Sequence, residues 1–168
     1  MQSLTEQRIR ASFVNASRKE VSDMSLPLNF AETRWSSLDY YGWRDRKLAR
    51  RSYVIVELDG EPVAIVLRQG EATALSRPQC TWCQDVTLSN DVVFYSAKRA
   101  GEAGRRGDTV GTLLCARFEC SATVRKQPTV AYVGFDIESA RQQRIADLRE
   151  HSRGFALSVL HGAGRDER

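Results

Sequence analysis

All four cysteines of the chain lie in two short motifs, Cys80-Thr-Trp-Cys83 and Cys115-Ala-Arg-Phe-Glu-Cys120, which 31 residues separate. Each pair is close enough in sequence to bind one metal ion from a single tight turn, and the chain between them is long enough to fold back as a hairpin. The spacing therefore predicts one tetrahedral zinc site, with the ligands Cys80, Cys83, Cys115 and Cys120. Four thiolates leave zinc no open coordination position, so the predicted Zn²⁺ is structural and does not activate water.

Other uses of these cysteines stay open at the level of the sequence. Two disulfides are typical of small secreted domains, but residues 1–8 contain no apolar segment of a signal peptide, so we expect a reducing, cytoplasmic location. A redox CxxC motif needs a helix N-terminus beside a βαβ unit, which the polar flanks at 76–79 and 84–87 do not indicate. A set of four cysteines also suits iron. Zinc is the interpretation that uses all four cysteines in one site.

The composition is that of an ordinary globular protein. A chain of 168 residues, 42% hydrophobic and 27% charged, suits a single domain. No apolar run reaches the roughly 20 residues of a membrane helix, so no membrane partner is expected. The net charge is +4, and residues 98–126, with seven cations and three anions, carry the same net charge by themselves. We therefore expect the positive surface to belong to the zinc segment.

The pattern of apolar residues predicts an α+β fold built on one antiparallel sheet. Strands at 53–58 and 62–67 flank Asp59-Gly60, the preferred two-residue turn of a hairpin, which occupies residues 52–70. Further strands are predicted at 91–96, 109–114 and 121–125. Between 28 and 51 the sequence indicates an irregular segment rich in aromatic residues. Its aromatic side chains either anchor the loop to the core or stack on bases.

Helices are predicted at both ends of the chain. Ser3 and Glu6 fit a capping box that opens a short amphipathic helix over 4–16, and Ser17 and Glu20 repeat the pattern for a second short helix.

Asp136 is a plausible N-cap for a C-terminal helix over 136–161, with a break expected at Gly154. The two histidines, His151 and His161, fall in this helix and are expected to be solvated or capping residues. No nucleophile motif accompanies them, so the sequence predicts neither an enzyme nor a small-molecule substrate.

One run between the two strands of the zinc segment is distinctive: Gly101-Glu-Ala-Gly-Arg-Arg-Gly-Asp108. It is not a phosphate-binding P-loop, because no Gly-Lys-Ser/Thr follows. It is either a flexible hairpin tip or a loop that contacts a partner.

This run and its surroundings resemble the FBP-type elongation factor G-binding proteins, whose C-terminal treble-clef zinc finger is shared with the FusB-type fusidic acid resistance proteins. The similar residues are Phe13–Arg18, Leu38–Asp45, Trp82-Cys83, Ala100–Thr112 and Cys115–Arg125. The resemblance implies one FBP-type domain over 1–168 with a treble-clef-like finger. Its parts are an N-terminal helical segment (1–25), the hairpin (52–70), the zinc module (78–126) and the C-terminal helix (136–161).

The resemblance also implies a non-enzymatic protein that binds elongation factor G, the ribosome or both and influences release of the factor, with a role like that in fusidic acid resistance. Because exposed arginines and aromatics are the usual anchors of interfaces, we expect the partner to contact Arg99, Arg105, Arg106, Phe118, Arg125 and Lys126. The alternative is an RNA- or ribosome-binding zinc module without factor contact, which uses Trp35 and Trp43 for stacking. A redox-sensing module that loses zinc on oxidation is a third class.

Overall fold

The computed structural model describes residues 1–71, 77–128, 132 and 134–161. At its centre is a five-stranded antiparallel sheet in which the strands lie in chain order. The strands are β1 (Tyr40–Arg44), β2 (Arg51–Leu58), β3 (Glu61–Gln69), β4 (Val92–Lys98) and β5 (Thr109–Cys115). The helices are α1 (Glu6–Ala11), α2 (Arg18–Asp23), α3 (Gly101–Arg105), α4 (Cys120–Arg125) and α5 (Ile137–His161), with short 3-10 turns at Phe30–Glu32 and Trp35–Ser37. No helix in these ranges has the length and apolar character of a membrane span.

The hairpin of β2 and β3 follows from the chemistry of its turn. Asp59 and Gly60 have φ angles of 52° and 85°, the left-handed conformations of a type I′ turn, which Asp and Gly tolerate better than most residues. The turn sets Leu58 opposite Glu61, and this register buries a run of apolar residues in the middle of both strands. The predicted hairpin is confirmed.

The sheet is covered on both faces, which gives the domain two hydrophobic cores. On one face, Leu148 and Phe155 of α5 belong to the same buried cluster as the four cysteines. On the other face, α1, the 3-10 turns and the segments on either side of α2 cover a second cluster around Tyr53, to which Ile9 and Met24 contribute. The cysteine site therefore lies inside the first core, beneath α5.

Two strands in the middle of the sheet separate after a short pairing. Within the described chain, β3 and β4 pair where Arg68 and Gln69 lie opposite Ser96 and Tyr95, and the Gly70 amide adds one hydrogen bond of 2.9 Å to the Phe94 carbonyl. The N-terminal segment occupies the edge of β3 that β4 leaves open, because Ala64 exchanges backbone hydrogen bonds of 2.9 and 3.0 Å with residues 12 and 14.

Asn15 continues this pairing with its side chain. Its Oδ1 accepts from the Val66 amide at 2.8 Å, and its Nδ2 donates to the Val66 carbonyl at 3.1 Å and to the Lys98 carbonyl at 2.9 Å. The amide group thus takes the place of a strand residue and bridges β3 to the end of β4.

The N-terminal helix is shorter than predicted. It ends at Ala11 instead of residue 16, and Thr5 rather than Ser3 caps it through a side-chain hydrogen bond. Phe13 leaves the helix because the backbone there bridges to β3, where the sheet offers unpaired groups. Tertiary pairing has overridden the helical pattern.

The other two helical segments follow their local signals closely. The capping box of Ser17 and Glu20 is confirmed by hydrogen bonds of 2.9 and 3.2 Å. Asp136 accepts a hydrogen bond from the Ser139 amide at 2.8 Å, as an N-cap does. The predicted break at Gly154 is wrong, because α5 runs through it without interruption.

Two predictions of extended or irregular structure are wrong. Residues 121–125 form helix α4, in which Cys120, Ser121, Thr123 and Val124 are buried at helical spacing. The segment 28–51 contains a strand, β1, whose alternate residues Tyr41 and Trp43 face the second core. The expected anchoring of its aromatic side chains is confirmed, since Trp35 packs on Tyr41 at a ring-centroid distance of 5.0 Å.

Candidate metal centre

The four cysteine sulfurs converge in one buried cluster. Their Sγ atoms all lie within 4.8 Å of one another, and no cysteine side chain is appreciably exposed. The Cys80 and Cys120 sulfurs are 3.6 Å apart, and those of Cys83 and Cys115 are 3.7 Å apart. Zinc–sulfur bonds of about 2.3 Å in a tetrahedron place sulfurs about 3.8 Å apart, whereas a disulfide needs about 2.05 Å. The four sulfurs therefore fit a zinc site of four thiolates and not two disulfides.

Two tight turns aim the cysteines at the same point. Gln84 directly follows the first pair and has a left-handed φ of 48°, and its amide donates to the Cys80 carbonyl at 3.0 Å. Phe118 lies within the second pair, with a φ of 62°, and its amide donates to the Cys115 carbonyl at 3.0 Å. Each turn reverses the chain between two ligands, so both sulfurs of a pair point to one side.

Three kinds of secondary structure supply the ligands. Cys80 and Cys83 lie on the turn before β4, Cys115 is the last residue of β5, and Cys120 is the first residue of α4. This is why residues 121–125 are helical: a strand would carry Cys120 away from the cluster, whereas the first turn of a helix keeps it close to the end of β5.

The donor set also has the chemistry of a cation site. Hydrogen bonds from Cys115 and Cys120 lower the pKa of Cys80 and Cys83, whereas contacts with Cys115 and Cys80 raise the pKa of Cys120. Negative charges on neighbouring sulfurs repel one another, so four thiols in one cavity do not all ionise by themselves. A bound cation offsets this repulsion and lets all four become thiolates.

Two neighbours contact the sulfurs from outside the ligand set. The Asn90 side chain donates to the Cys115 sulfur at 3.7 Å and to the Thr123 hydroxyl at 2.8 Å, which ties the end of β5 to α4. Burial, together with the Cys120 sulfur beside it, raises the pKa of Tyr40 well above its usual 10.0. The Tyr40 hydroxyl therefore stays protonated next to the cluster.

Trp82 fixes the first cysteine pair to the rest of the core. Its ring packs edge-on against Tyr40 at 4.7 Å and lies tilted against Phe155 of α5 at 5.5 Å, and its Nε1 donates to the Thr112 hydroxyl at 3.0 Å. The Trp82 carbonyl accepts from His151 Nδ1 at 3.0 Å. The prediction that His151 is a solvated or capping residue is therefore wrong, because this side chain connects α5 to the turn that holds two ligands.

A family model described as FBP C-terminal treble-clef zinc-finger matches residues 8–159. The chain belongs to this family. The match covers both cysteine pairs, the hairpin of β4 and β5 between them and helix α4, so the FBP family and the sulfur geometry agree on one structural zinc per chain. No curated protein and no solved structure shows significant similarity to this FBP domain.

The structure divides the five basic residues among the expected partner contacts into two groups. Arg105, Arg106 and Lys126 are exposed. Arg99 is half-buried and donates to the Ser158 carbonyl, and Arg125 pairs with Asp39.

The premise that Phe118 is an exposed aromatic is wrong. Its side chain is 9% exposed and stacks on Tyr95 at 5.7 Å, because the turn that places the second cysteine pair directs this ring inward. Partner binding by the three exposed cations stays a prediction.

Asp39 is an electrostatic centre that sequence reasoning missed. Its side chain is fully buried, and it accepts from Arg149 of α5 at 2.8 Å and from both terminal nitrogens of Arg125 of α4. Burial acts to raise the pKa of Asp39, but the two arginines outweigh it and hold that pKa below its usual 3.8. The sequence around Asp39 gives no sign that it pairs with two arginines, because both arginines lie more than 80 residues away in the chain.

Proposed function

We propose that this FBP-family chain is a non-enzymatic binding protein that holds elongation factor G, free or on the ribosome, through the basic surface of its zinc module and so influences release of the factor. The observation that carries the proposal is family membership over residues 8–159. A structural zinc supports it, because a closed set of four cysteines stabilises a surface but offers no site for chemistry. A role in fusidic acid resistance belongs to the same proposal.

The contact element of this proposal is the basic loop, which we define as residues 99–108. The Ala100 amide donates to the Val159 carbonyl of α5 at 2.8 Å, and the Arg99 guanidinium donates to the neighbouring carbonyl. Gly104 packs so closely on the Arg99 carbonyl that a Cβ would lie 1.8 Å from its oxygen. The basic loop is therefore fixed on α5 and contains a short helix, α3, where the sequence indicates a hairpin tip or a contact loop.

Two of the charged side chains of the basic loop, Arg105 and Arg106, are exposed to solvent. Arg106 forms an ion pair of 3.0 Å with Glu102, but both side chains are well exposed, so the pair contributes little. Arg105 is exposed and has no ion-pair partner among the described residues. Exposed arginines on a fixed element favour an acidic partner surface, speed the encounter and make binding sensitive to salt.

The alternative of an RNA-binding zinc module loses part of its basis. Trp43 is 5% exposed, and its Nε1 donates to the Ser25 carbonyl at 3.0 Å, so it cannot stack on a base without leaving the core. Trp35 packs edge-on against Phe30 at 5.8 Å and is half-buried. Exposed cations, such as those of the basic loop, are the remaining support for this alternative, and the pull-down described next separates it from factor binding.

The experiment is a pull-down of zinc-loaded protein against purified elongation factor G and, separately, against 70S ribosomes of the same cell. We expect direct capture of the factor, and at least a tenfold loss of capture for the double variant Arg105→Glu/Arg106→Glu. The matched control Arg46→Glu/Lys47→Glu changes charge equally at exposed positions in the turn between β1 and β2 and leaves capture unchanged.

The outcomes distinguish the candidate functions. If both double variants still capture the factor, the basic loop is not the contact. Capture of ribosomes or RNA alone, with a steep linear fall of log affinity against log salt, would establish the RNA-binding module instead. Capture of neither would refute the proposal.

A further inference from the structure

Strand β1 lies at one edge of the sheet, and half of its backbone groups face away from β2. The Asp45 amide donates to the Arg51 carbonyl at 2.9 Å. Because hydrogen-bonding direction alternates along a strand, the main chains of Tyr41 and Trp43 also face β2, and those of Gly42 and Arg44 face outward. No other part of the described chain donates to or accepts from these outward groups.

A groove of about 470 Å³ runs along this open edge. One bank is the segment 27–38, which packs on the Tyr41 side of the sheet, and the other bank is Arg117 and Phe118. The Phe118 side chain packs directly against Gly42, where a Cβ would come within 2.5 Å of the ring. Glycine at this position therefore keeps the second bank against the strand while its own amide and carbonyl face the groove.

The groove is positively charged. Its lining includes Arg34, Arg44 and Arg117 but a single acidic residue, Glu32. Arg34 and Arg117 are exposed, stand on opposite banks, and form no side-chain hydrogen bond or ion pair with other described residues. Two copies of this edge would bring six arginines together, so the charge disfavours a second copy of the chain as the occupant.

We propose that the open edge of β1 binds an extended, acidic peptide segment of a partner protein as a sixth strand of the sheet. The backbone groups of Gly42 and Arg44 hold such a segment by main-chain hydrogen bonds. Its successive side chains point to opposite faces, so acidic residues on one face meet Arg34 and those on the other meet Arg117. An edge strand that is otherwise unprotected is a template for such pairing.

This site is separate from the basic loop. The loop precedes β5, whereas Arg117 follows it, and the seven residues of β5 at about 3.3 Å each separate the two by about 20 Å. The inference thus goes beyond the proposed function and stands or falls independently of it.

The test uses two blocked eight-residue peptides, acetyl-TVEEVEVT-amide and its lysine counterpart acetyl-TVKKVKVT-amide, titrated into the whole, isotope-labelled, zinc-loaded protein. We expect the acidic peptide to bind at least tenfold more tightly than the lysine peptide. Its binding shifts the amide resonances of Gly42 and Arg44 and slows their hydrogen exchange. The amides of Tyr41 and Trp43 are hydrogen-bonded to β2 already, so their protection serves as an internal reference.

Charge reversal supplies the matched variants. Arg34→Glu/Arg117→Glu alters two exposed side chains, leaves the fold intact by circular dichroism, and reduces acidic-peptide binding at least tenfold. Arg105→Glu/Arg106→Glu keeps peptide binding within twofold even where it abolishes capture of the elongation factor. Equal binding of both peptides, or no change at Gly42 and Arg44, overturns the proposal. So does slow exchange at Gly42 that depends on protein concentration without peptide, since a second copy then covers the edge.

Discussion

The Asn15 side chain offers the sharpest test of how the sheet is held together. It makes three hydrogen bonds, two to Val66 of β3 and one to the carbonyl of Lys98 at the end of β4. Replacement by alanine removes all three and leaves a strand amide and two carbonyls without these partners. Because a hydrogen bond contributes about 1 kcal/mol and the Lys98 end is exposed, we expect Asn15→Ala to lower the free energy of unfolding by about 2 to 3 kcal/mol.

Asn15→Asp is more informative, because it keeps the shape of the side chain but replaces the donating NH₂ group with an accepting oxygen. The new carboxylate still accepts from the Val66 amide, but its second oxygen faces two carbonyl oxygens that need a donor. We expect a loss of at least about 3 kcal/mol at neutral pH, from the two lost Nδ2 hydrogen bonds and a half-buried charge that faces two carbonyl oxygens. The same repulsion raises the pKa of this carboxyl in the folded state, so the deficit shrinks as the pH falls and the carboxyl protonates.

The assay is urea unfolding of zinc-loaded protein, followed by circular dichroism at pH 7 and pH 5. The control is Asn29→Ala, which alters an exposed asparagine without a capping hydrogen bond and should change stability by less than about 0.5 kcal/mol. In thermal melts, a loss of 2 to 3 kcal/mol corresponds to a fall of about 4–12 °C for a domain of this size. A deficit of Asn15→Asp equal to that of Asn15→Ala and independent of pH would refute the bridging role.

Other perturbations have equally definite outcomes. Chelation of zinc, or Cys115→Ser, should abolish the near-ultraviolet signal of the zinc module, because zinc sites of this kind contribute about 10–16 kcal/mol to folding, as much as a domain's whole stability. Gly42→Ala should cost about 1–3 kcal/mol through overpacking against the Phe118 ring, and a double-mutant cycle with Phe118→Leu should recover part of it. Asp39→Asn should cost about 2 kcal/mol at pH 7, less than a fully buried pair because Arg149 is largely exposed. Urea titrations should show this difference in unfolding free energy in full above pH 4. It should shrink as the pH falls below 3.8, the usual pKa of Asp, and vanish once the pH is below the lower pKa of Asp39 in the folded state.

Local rules explain which parts of the fold the sequence predicts. The cysteine pairs predict their own cluster because each pair and its turn lie within six residues, and Asp59-Gly60 predicts its hairpin in the same way. The capping box at Ser17 is local as well. Each of these signals lies within one short stretch of chain, so the local structure that it predicts does not depend on a distant partner.

The failures have distant causes. The helix over 4–16 stops early because residues 12–15 find hydrogen-bond partners on β3, some 50 residues away. Residues 121–125 contain Thr123 and Val124, which suit a strand, but the metal site requires Cys120 at the start of a helix. Phe118 has the composition of an interface anchor, yet its left-handed φ directs it into the core. None of these constraints can be read from the neighbouring residues.

The short pairing between β3 and β4 has a consequence for the zinc-free protein. Few main-chain hydrogen bonds hold β4 and β5 to β1–β3, so the core beneath α5, which spans both parts of the sheet, carries most of the contact between them. We expect loss of zinc to unfold β4 and β5 first, because the ligands lie in or beside these strands, whereas β1 to β3 also pack on the second core around Tyr53. The surviving half then exposes the apolar face that α5 and the cysteine cluster had covered, beside a β3 edge without its β4 partner. Such a surface self-associates, so the metal protects this chain from aggregation as well as shaping its surface.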